Sequence, residues 1–397
     1  MHSKGLLFGV YLDAGDVTCA GFPGSLGHEA ADVEWLASVG ADYLWLDGCN
    51  LEKALMPEKY ELWSRLLNQS GRSIAWEVSW PAYTFHRNSS AAEAGADPFN
   101  VDLWWHSAAV GHEFRFYNDN QANWLHILDI AAWTHEAGMG RFHRPGSWAF
   151  MDMLESGIGS LSLAESRAHY TLWVLMAQPL HLGLDLRSAS ADMMAVFENE
   201  EVVRLGANDT LAQMGRRVAM TDSRLNGTQV WMRELGDGSI LVGLLNAESS
   251  NAMDTCTWTR RPGGFYQVDP PTPDGNLECY NKGQLEQAKA DCCAAGLKQC
   301  ASVDYNMVTG SGCSKRNDKG GWNNDTNFID YVVAKGHPEP VHGPPRTICF
   351  NVSSVGLNPY SNTSIRDLWA AKDLGFWKGP VCASVEAHGM ALLWLRQ

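Results

Sequence analysis

Up to about residue 212, short apolar runs of strand character alternate with segments whose apolar residues recur every three or four positions. Leu6 to Leu12 reads as a strand, and Ala30 to Val39 as a helix with Val33, Leu36 and Ala37 on one face. The strand Tyr43 to Leu46, the helix Lys59 to Leu67 and the strand Ser73 to Val78 repeat the unit. A strand over Glu113 to Tyr117 precedes a helix from Gln121 to Trp133, and a strand near Trp148 precedes the helix Leu163 to Met176. Leu180 to Leu186 reads as the sixth strand and Ala191 to Leu205 as the helix that follows it. Such alternation implies a parallel sheet, open or closed as a barrel. Periodicity does not choose between them, but Asp13, Asp47, Ser79, Asp119 and Asp152 all stand directly after predicted strands, the end at which barrel enzymes hold their chemistry. The expected class is α/β, a TIM-type barrel.

From about residue 213 the grammar changes to short alternating runs such as Gln229 to Arg233 and Ile240 to Leu245, separated by Gly and Asn turns, as in an antiparallel β-sandwich. A PPTPDG stretch then leads into Cys279, Cys292, Cys293, Cys300 and Cys313 and a polar run rich in Asn, Asp and Gly, which reads as a small disulfide-stabilised insertion. The expected division is 1–212 for the α/β unit, 213–261 with 341–397 for the sandwich, and 262–340 for the Cys-rich insertion.

Charge narrows the partners. Lys and Arg number 30 against 45 Asp and Glu, a formal charge of −15. Nucleic acid and anionic membranes are thereby disfavoured, and no apolar run approaches the roughly 20 residues that cross a bilayer. The 17 Trp suit the apolar faces of sugars, although most Trp in any protein fill the core. No CxxC pair or HExxH run occurs among the 10 Cys and 13 His, so disulfides are a better reading than metal. N-x-S/T sequons at Asn68, Asn88, Asn208, Asn226, Asn324, Asn351 and Asn362 agree with passage through the secretory pathway. The first residues do not read as a signal peptide, since the apolar stretch is short and runs into Asp13.

The segments FGVYLDAGDVTCAGFPGS (8–25) and ADYLWLDGCN (41–50) resemble the α-galactosidase and α-N-acetylgalactosaminidase group, glycoside hydrolase family 27. The resemblance continues through GRSIAWEVSWPAY, RFYNDNQANW, WAFMDML and LGLDLRS, and resumes at RDLWAAKDLG and ASVEAHGMALLWL. It implies a retaining exo-glycosidase that needs no cofactor or metal and acts on terminal α-galactosyl or α-N-acetylgalactosaminyl glycans. That chemistry requires two carboxyl groups about 5 Å apart across the scissile bond. By the resemblance Asp47 is the nucleophile and Asp119, four residues after Arg115, the acid/base. Asp119 could alternatively cap the helix beginning at Gln121, and Asp47 could cap the turn before Gly48.

The same carry-over assigns Tyr11, Tyr83, Arg115, Asp152 and Met153 to the sugar pocket and pairs Cys19 with Cys49. Ser79 and Ala82 stand where galactose-preferring members carry Glu and Leu, and their small volume leaves room for a 2-acetamido group, which favours N-acetylgalactosamine over galactose. Trp45 replaces a sugar-binding Lys and could stack on a sugar face instead. The motif before Asp152 also departs from the family, reading Ala149, Phe150 and Met151.

By the resemblance the chain starts at the third barrel strand, so the expected barrel, strands three to eight, is incomplete at the N-terminus. Such a barrel could assemble a working site across a homodimer, or it could be an inactive, glycan-binding remnant. A plain α-galactosidase is the third reading. The insertion loosely resembles an apple or PAN-type module, with CCAAGLKQC on a short helix and NFIDYVV on a later strand. The expected destination is lysosome, vacuole or exterior.

Overall fold

The computed structural model describes residues 1–84, 101–116, 132, 135, 138–158, 161–207, 213–221, 227–247 and 345–397, with seven short strands between residues 258 and 333. Gly9–Asp13 (β1), Tyr43–Asp47 (β2), Ala75–Val78 (β3), Glu113–Arg115 (β4) and Trp148–Phe150 (β5) form one parallel sheet in chain order. Strands adjacent in sequence pair because each crossover folds back over the sheet and delivers the chain to the neighbouring position. The helices Glu29–Ser38 and Met56–Gln69 follow β1 and β2. In the second, Met56, Tyr60, Trp63 and Leu67 are buried at helical spacing.

Period two sorts the strands. Leu44 and Leu46 on β2, Trp76 and Val78 on β3, and Phe114 on β4 belong to the apolar core that these helices cover. The opposite face carries Tyr11 and Asp13, Tyr43, Trp45 and Asp47, then Glu77, then Glu113 and Arg115.

Two elements differ from the sequence reading. Leu180 to Leu186 contributes a single parallel bridge, Leu182 to Leu154, rather than a sixth strand of the sheet. A ladder needs both partners extended, and Asp152, at φ 76°, turns the chain out of line just before Leu154. The helix expected over Ala191 to Leu205 is two, Ala191–Phe197 and Glu200–Ala207. Asn199 separates them by accepting the Val202 amide hydrogen as a new N-cap, while its own amide donates to Leu368 O. The helix expected over Gln121 to Trp133 lies outside the described residues, apart from Ala132.

Further along run Arg216–Met220 (β6), Thr228–Glu234 (β7) and Ile240–Asn246 (β8). Trp258–Pro262 (β9), Phe265–Gln267 (β10), Asn276–Tyr280 (β11), Ser302–Asn306 (β12), Gly312–Lys315 (β13), Gly321–Asn323 (β14) and Phe328–Val333 (β15) come next. They form a five-stranded antiparallel sheet, β11-β13-β12-β15-β9, and the pair β10-β14. Residues 292–300 lie outside the described residues.

Arg346–Asn351 (β16), Thr363–Asp367 (β17), Lys372–Trp377 (β18), Pro380–Val385 (β19) and Met390–Arg396 (β20) complete the chain. The six-stranded sheet runs β18-β17-β20-β8-β7-β6, and β16 pairs with β19. Cys349 and Cys382, in register on that pair, are disulfide-bonded. Strand β8 is buried throughout because it serves two cores. Val242 and Leu244 face Ile348, Phe350 and Val381 across the sandwich, while Leu241 and Leu245 join the core that contains the helix Leu163–Leu175.

That helix is the hinge pin between the two layers. A capping box closes its N-terminus: Ser162 Oγ accepts from Glu165 N, and Glu165 Oε2 accepts from Ser162 N. Glu165 Oε1 also lies 2.8 Å from His388 Nδ1, just before β20. Ser162→Ala, which removes only the cap, is expected to lower stability by about 1 kcal/mol in chemical denaturation. Glu165→Ala should cost more, because it also removes the contact with His388.

Candidate active site

Asp13 and Asp47 are in-register partners at the C-terminal ends of β1 and β2, so the topology alone brings two carboxylates side by side. Their surroundings differ. Asp13 accepts from Gly15 N at 2.8 Å and Cys49 N at 3.1 Å, which ties the β1 loop to the β2 loop. Asp47 is met mostly by side chains. Its Oδ1 accepts from Tyr83 Oη at 2.6 Å, from Gly48 N at 2.9 Å and, more distantly, from Arg115 Nη2 at 3.4 Å. Its Oδ2 accepts from Tyr11 Oη at 2.9 Å. Burial, followed by the negative charge of Asp47, raises the pKa of both tyrosine hydroxyls, which therefore remain donors.

Arg115 ends β4 and is nearly buried. Its guanidinium reaches Asp47, stands 3.9 Å from Asp152 and lies over the Tyr83 ring at 5.8 Å. Asp152 is buried in the turn after β5, where its side chain accepts from Met153 N and its carbonyl from Trp173 Nε1. Met153 is half-buried, its sulfur beside Gly183. The structure thus gathers Tyr11, Asp47, Tyr83, Arg115, Asp152 and Met153 at one end of the sheet. Asp119 lies outside the described residues.

Trp45, two residues before Asp47 and on the same face, is half-buried and set edge-on to Phe150 at 5.2 Å and to His181 at 5.6 Å. Ser79 and Ala82 are buried, and the Ser79 hydroxyl is turned toward Glu77, 2.9 Å from each carboxyl oxygen. Cys19 and Cys49 are disulfide-bonded, fastening the loop after β1 to the turn after β2. Donor atoms of Asp13, Cys19, Asp47 and Cys49 lie within 4.8 Å of one another, but both sulfurs are consumed by that bond and offer no thiolate, leaving two carboxylates as a poor metal donor set.

Several residues beneath the site escaped the motif reading. Glu113 Oε2 accepts from Tyr43 Oη at 2.6 Å and lies 3.0 Å from His181 Nε2, a polar layer where a barrel interior usually holds branched apolar residues. Glu77 is fully buried beside them on β3. Counting back by two from Ser79 and from Arg115 reaches Glu77 and Glu113, so the strand period was a usable signal. His181 had none, because it arrives from a segment that forms only one bridge.

Burial above all, together with the Asp47 charge, pushes the Asp13 carboxyl up to about 7 despite its two backbone donors. An acid whose proton is held more tightly when folded contributes stability that is complete below its unfolded pKa, near 3.8, and is lost as pH rises through about 7. The melting temperature should therefore fall between about pH 4 and 7 and level off above it. Melting curves from pH 4 to 9 check this, and Asp13→Asn should flatten the dependence.

The model of the family described as alpha galactosidase A matches residues 1–208, and that of the alpha galactosidase C-terminal beta sandwich domain matches residues 330–395. The α-galactosidase of Cyamopsis tetragonoloba is 35% identical over 261 residues, 65% of this chain and 57% of that protein. The human α-N-acetylgalactosaminidase is 35% identical over 241 residues, 60% and 55% of the two. The chain spans little more than half the length of the curated relatives it matches. Among solved structures, α-galactosidase I from Mortierella vinacea superposes with a TM-score of 0.63 at 18% identity, covering 100% of this chain and 78% of that one. At that identity the likeness speaks for the fold.

Proposed function

Because the chain belongs to the α-galactosidase family of glycoside hydrolases, glycoside hydrolase family 27, we propose that it is a retaining exo-glycosidase that removes terminal α-linked N-acetylgalactosamine, or galactose, from glycoconjugates. The observation that carries this reading is the Asp47 cluster. A carboxylate at a strand end, fixed by two tyrosines, an amide and a guanidinium, is held in one orientation at the C-terminal end of the sheet.

Among the described residues, three donors serve Oδ1, whereas Oδ2 accepts from Tyr11 and otherwise meets only the disulfide sulfur of Cys49 at 3.7 Å, which carries no hydrogen, so Oδ2 is the freer nucleophile. Its lone pair forms a bond to the anomeric carbon as the glycosidic C–O bond breaks, and Asp119 gives its proton to the departing oxygen. Asp119 then takes a proton from water, whose oxygen displaces Asp47 and restores the starting configuration. Arg115, Asp152 and Met153 line the sugar site, and Trp45 offers an apolar surface where the family's Lys would bind hydroxyls.

The preference for N-acetylgalactosamine rests on volume. Ser79 and Ala82 are small, and with the Ser79 hydroxyl engaged by Glu77 their contribution to a 2-acetamido group is room rather than a hydrogen bond. A secretory destination, lysosomal, vacuolar or extracellular, accords with the sequons and with the two disulfides among the described residues. Among the described residues no helix is long and apolar enough to cross a membrane.

The test is hydrolysis of p-nitrophenyl α-N-acetylgalactosaminide and p-nitrophenyl α-galactoside at mildly acidic pH. Both should be cleaved, the first with the higher kcat/KM. Faster cleavage of the galactoside would make the chain an α-galactosidase. Binding of either sugar without nitrophenol release would replace the enzyme reading by a glycan-binding one.

A further inference from the structure

Among the described residues Glu77 is the most deeply buried carboxylate on the inner face of the sheet, and the mechanism above does not use it. Its two carboxyl oxygens both sit 2.9 Å from Ser79 Oγ, and among the described residues that hydroxyl is its only hydrogen-bond partner. A hydroxyl cannot neutralise a charge, and an unpaired carboxylate is expensive in such a place. Its in-register neighbours are Trp45 on β2 and Glu113 on β4, the second of which is another acid. The charged groups acting on it are Asp47 from β2, with Glu113 and Arg115 from β4, and the phenols of Tyr43 and Tyr60 are also in range.

Arg115 is the only cation in this set, and its contacts with Asp47 at 3.4 Å and Asp152 at 3.9 Å are long enough to be redirected by a third carboxylate. We propose that Glu77 is a positioning residue that works as an uncharged acid, so that Arg115 remains committed to Asp47 and Asp152. The inference deepens the glycosidase reading and rests on it. Held neutral, Glu77 donates its own proton to Ser79 Oγ, and the Ser79 hydrogen points to the other carboxyl oxygen. Ionised, it would compete with Asp47 for the guanidinium and add a further negative charge beneath the nucleophile. Burial first, then the charges of Asp47 and Glu113, raise its pKa well above that of an ordinary glutamate against the opposing pull of Arg115, in the direction this role requires. Glu77 is therefore neutral through the acidic range in which the reaction is proposed to run, and the arrangement fails as alkali removes its proton.

Two measurements test this. The first is carbon-13 NMR of the whole chain labelled on glutamate side-chain carboxyls, with the Glu77 signal identified by its loss in Glu77→Gln. The wild-type signal should keep the shift of a protonated carboxyl at pH 7, and Asp47→Asn, which removes a neighbouring negative charge, should move its midpoint down by about one pH unit. A Glu77 carboxyl that is ionised at pH 5 overturns the proposal. This readout needs no turnover, so it stands even if the chain hydrolyses neither nitrophenyl glycoside and the glycosidase reading falls.

The second is the pH profile of kcat/KM. Glu77→Gln, a permanent copy of the neutral acid, should carry the alkaline limb upward by about one pH unit. Glu77→Asp, which moves the carboxyl away from Ser79, should lower kcat roughly tenfold with less change in KM. Coincident profiles for wild type and Glu77→Gln, with hydrolysis intact, overturn the role in positioning.

Discussion

Asp47→Asn is expected to abolish hydrolysis of both nitrophenyl glycosides, by about 10⁴-fold or more in kcat, equivalent to roughly 5 kcal/mol of lost transition-state stabilisation. The amide has nearly the shape of the carboxylate but no charge and no nucleophilic lone pair of comparable strength. Folding should survive. With the amide nitrogen in the place of Oδ2, the Tyr11 hydroxyl can turn to accept from the new NH₂ group, while Tyr83 Oη and Gly48 N still donate to the amide oxygen. Melting temperature and near-UV circular dichroism should therefore stay close to wild type, which separates lost chemistry from lost structure. Asp47→Gly should regain turnover when azide is supplied, releasing a glycosyl azide of inverted configuration, because the anion enters from the vacated side. Hydrolysis by Asp47→Asn at wild-type rates would remove Asp47 from the mechanism.

Gly15→Ala is expected to have the largest effect of any single methyl group added near the site. The new Cβ would overlap the carbonyl oxygen of Cys49 and approach the Asn50 carbonyl carbon at 2.9 Å. All of these are backbone atoms, so no side chain can swing aside. The two loops are also pinned together: Ala14 N donates to Asp47 O, Asn50 Nδ2 to Val17 O, and the Cys19–Cys49 bond closes the far side. Separating them tilts Asp13 and Asp47 apart. We expect a loss of about 3 kcal/mol in stability from overpacking alone. The accompanying loss in kcat/KM should be roughly 10²-fold, since a 1 Å misplacement is enough for that. Gly21→Ala in the same loop is the control. It has a left-handed φ of 79° but open space around its Cβ position, and should cost only about 1 kcal/mol. Equal losses in the two variants would mean that backbone conformation, not the contact with Cys49, sets the effect.

The candidate site was legible to different depths. Asp13, Asp47 and Arg115 could be placed because strand ends are marked by a switch from apolar to polar residues, and parallel strands put those ends together. Glu77 and Glu113 were one step of period two away. They were passed over because an acid inside a strand reads as a solvent-facing residue when the sheet's inner face is not yet known. Ser79 was placed at the 2-position of the sugar by the resemblance and its small volume, and only the structure shows its hydroxyl engaged by Glu77. The break at Asn199 was hidden by an apolar periodicity that runs through both helices, and a cap depends on one side-chain rotamer rather than on a pattern.

By itself, the sequence determined the alternation of strands and helices in the first half, the change to antiparallel strands after residue 213, and the chemical character of the strand ends. These follow from local rules, since helical and strand periods, turn residues and strand-end acids are all read over a few positions. Only the tertiary structure decided which distant segments share a layer. It set β8 between β7 and β20, so that one apolar run serves two cores, and brought His181 to Glu113 and His388 to Glu165. It also decided which acids are charged. A carboxyl's proton depends on the donors and charges around it in space, so Asp13 and Glu77, ordinary acids in the sequence, become reluctant ones once the sheet sets Asp47 beside them and the fold excludes water.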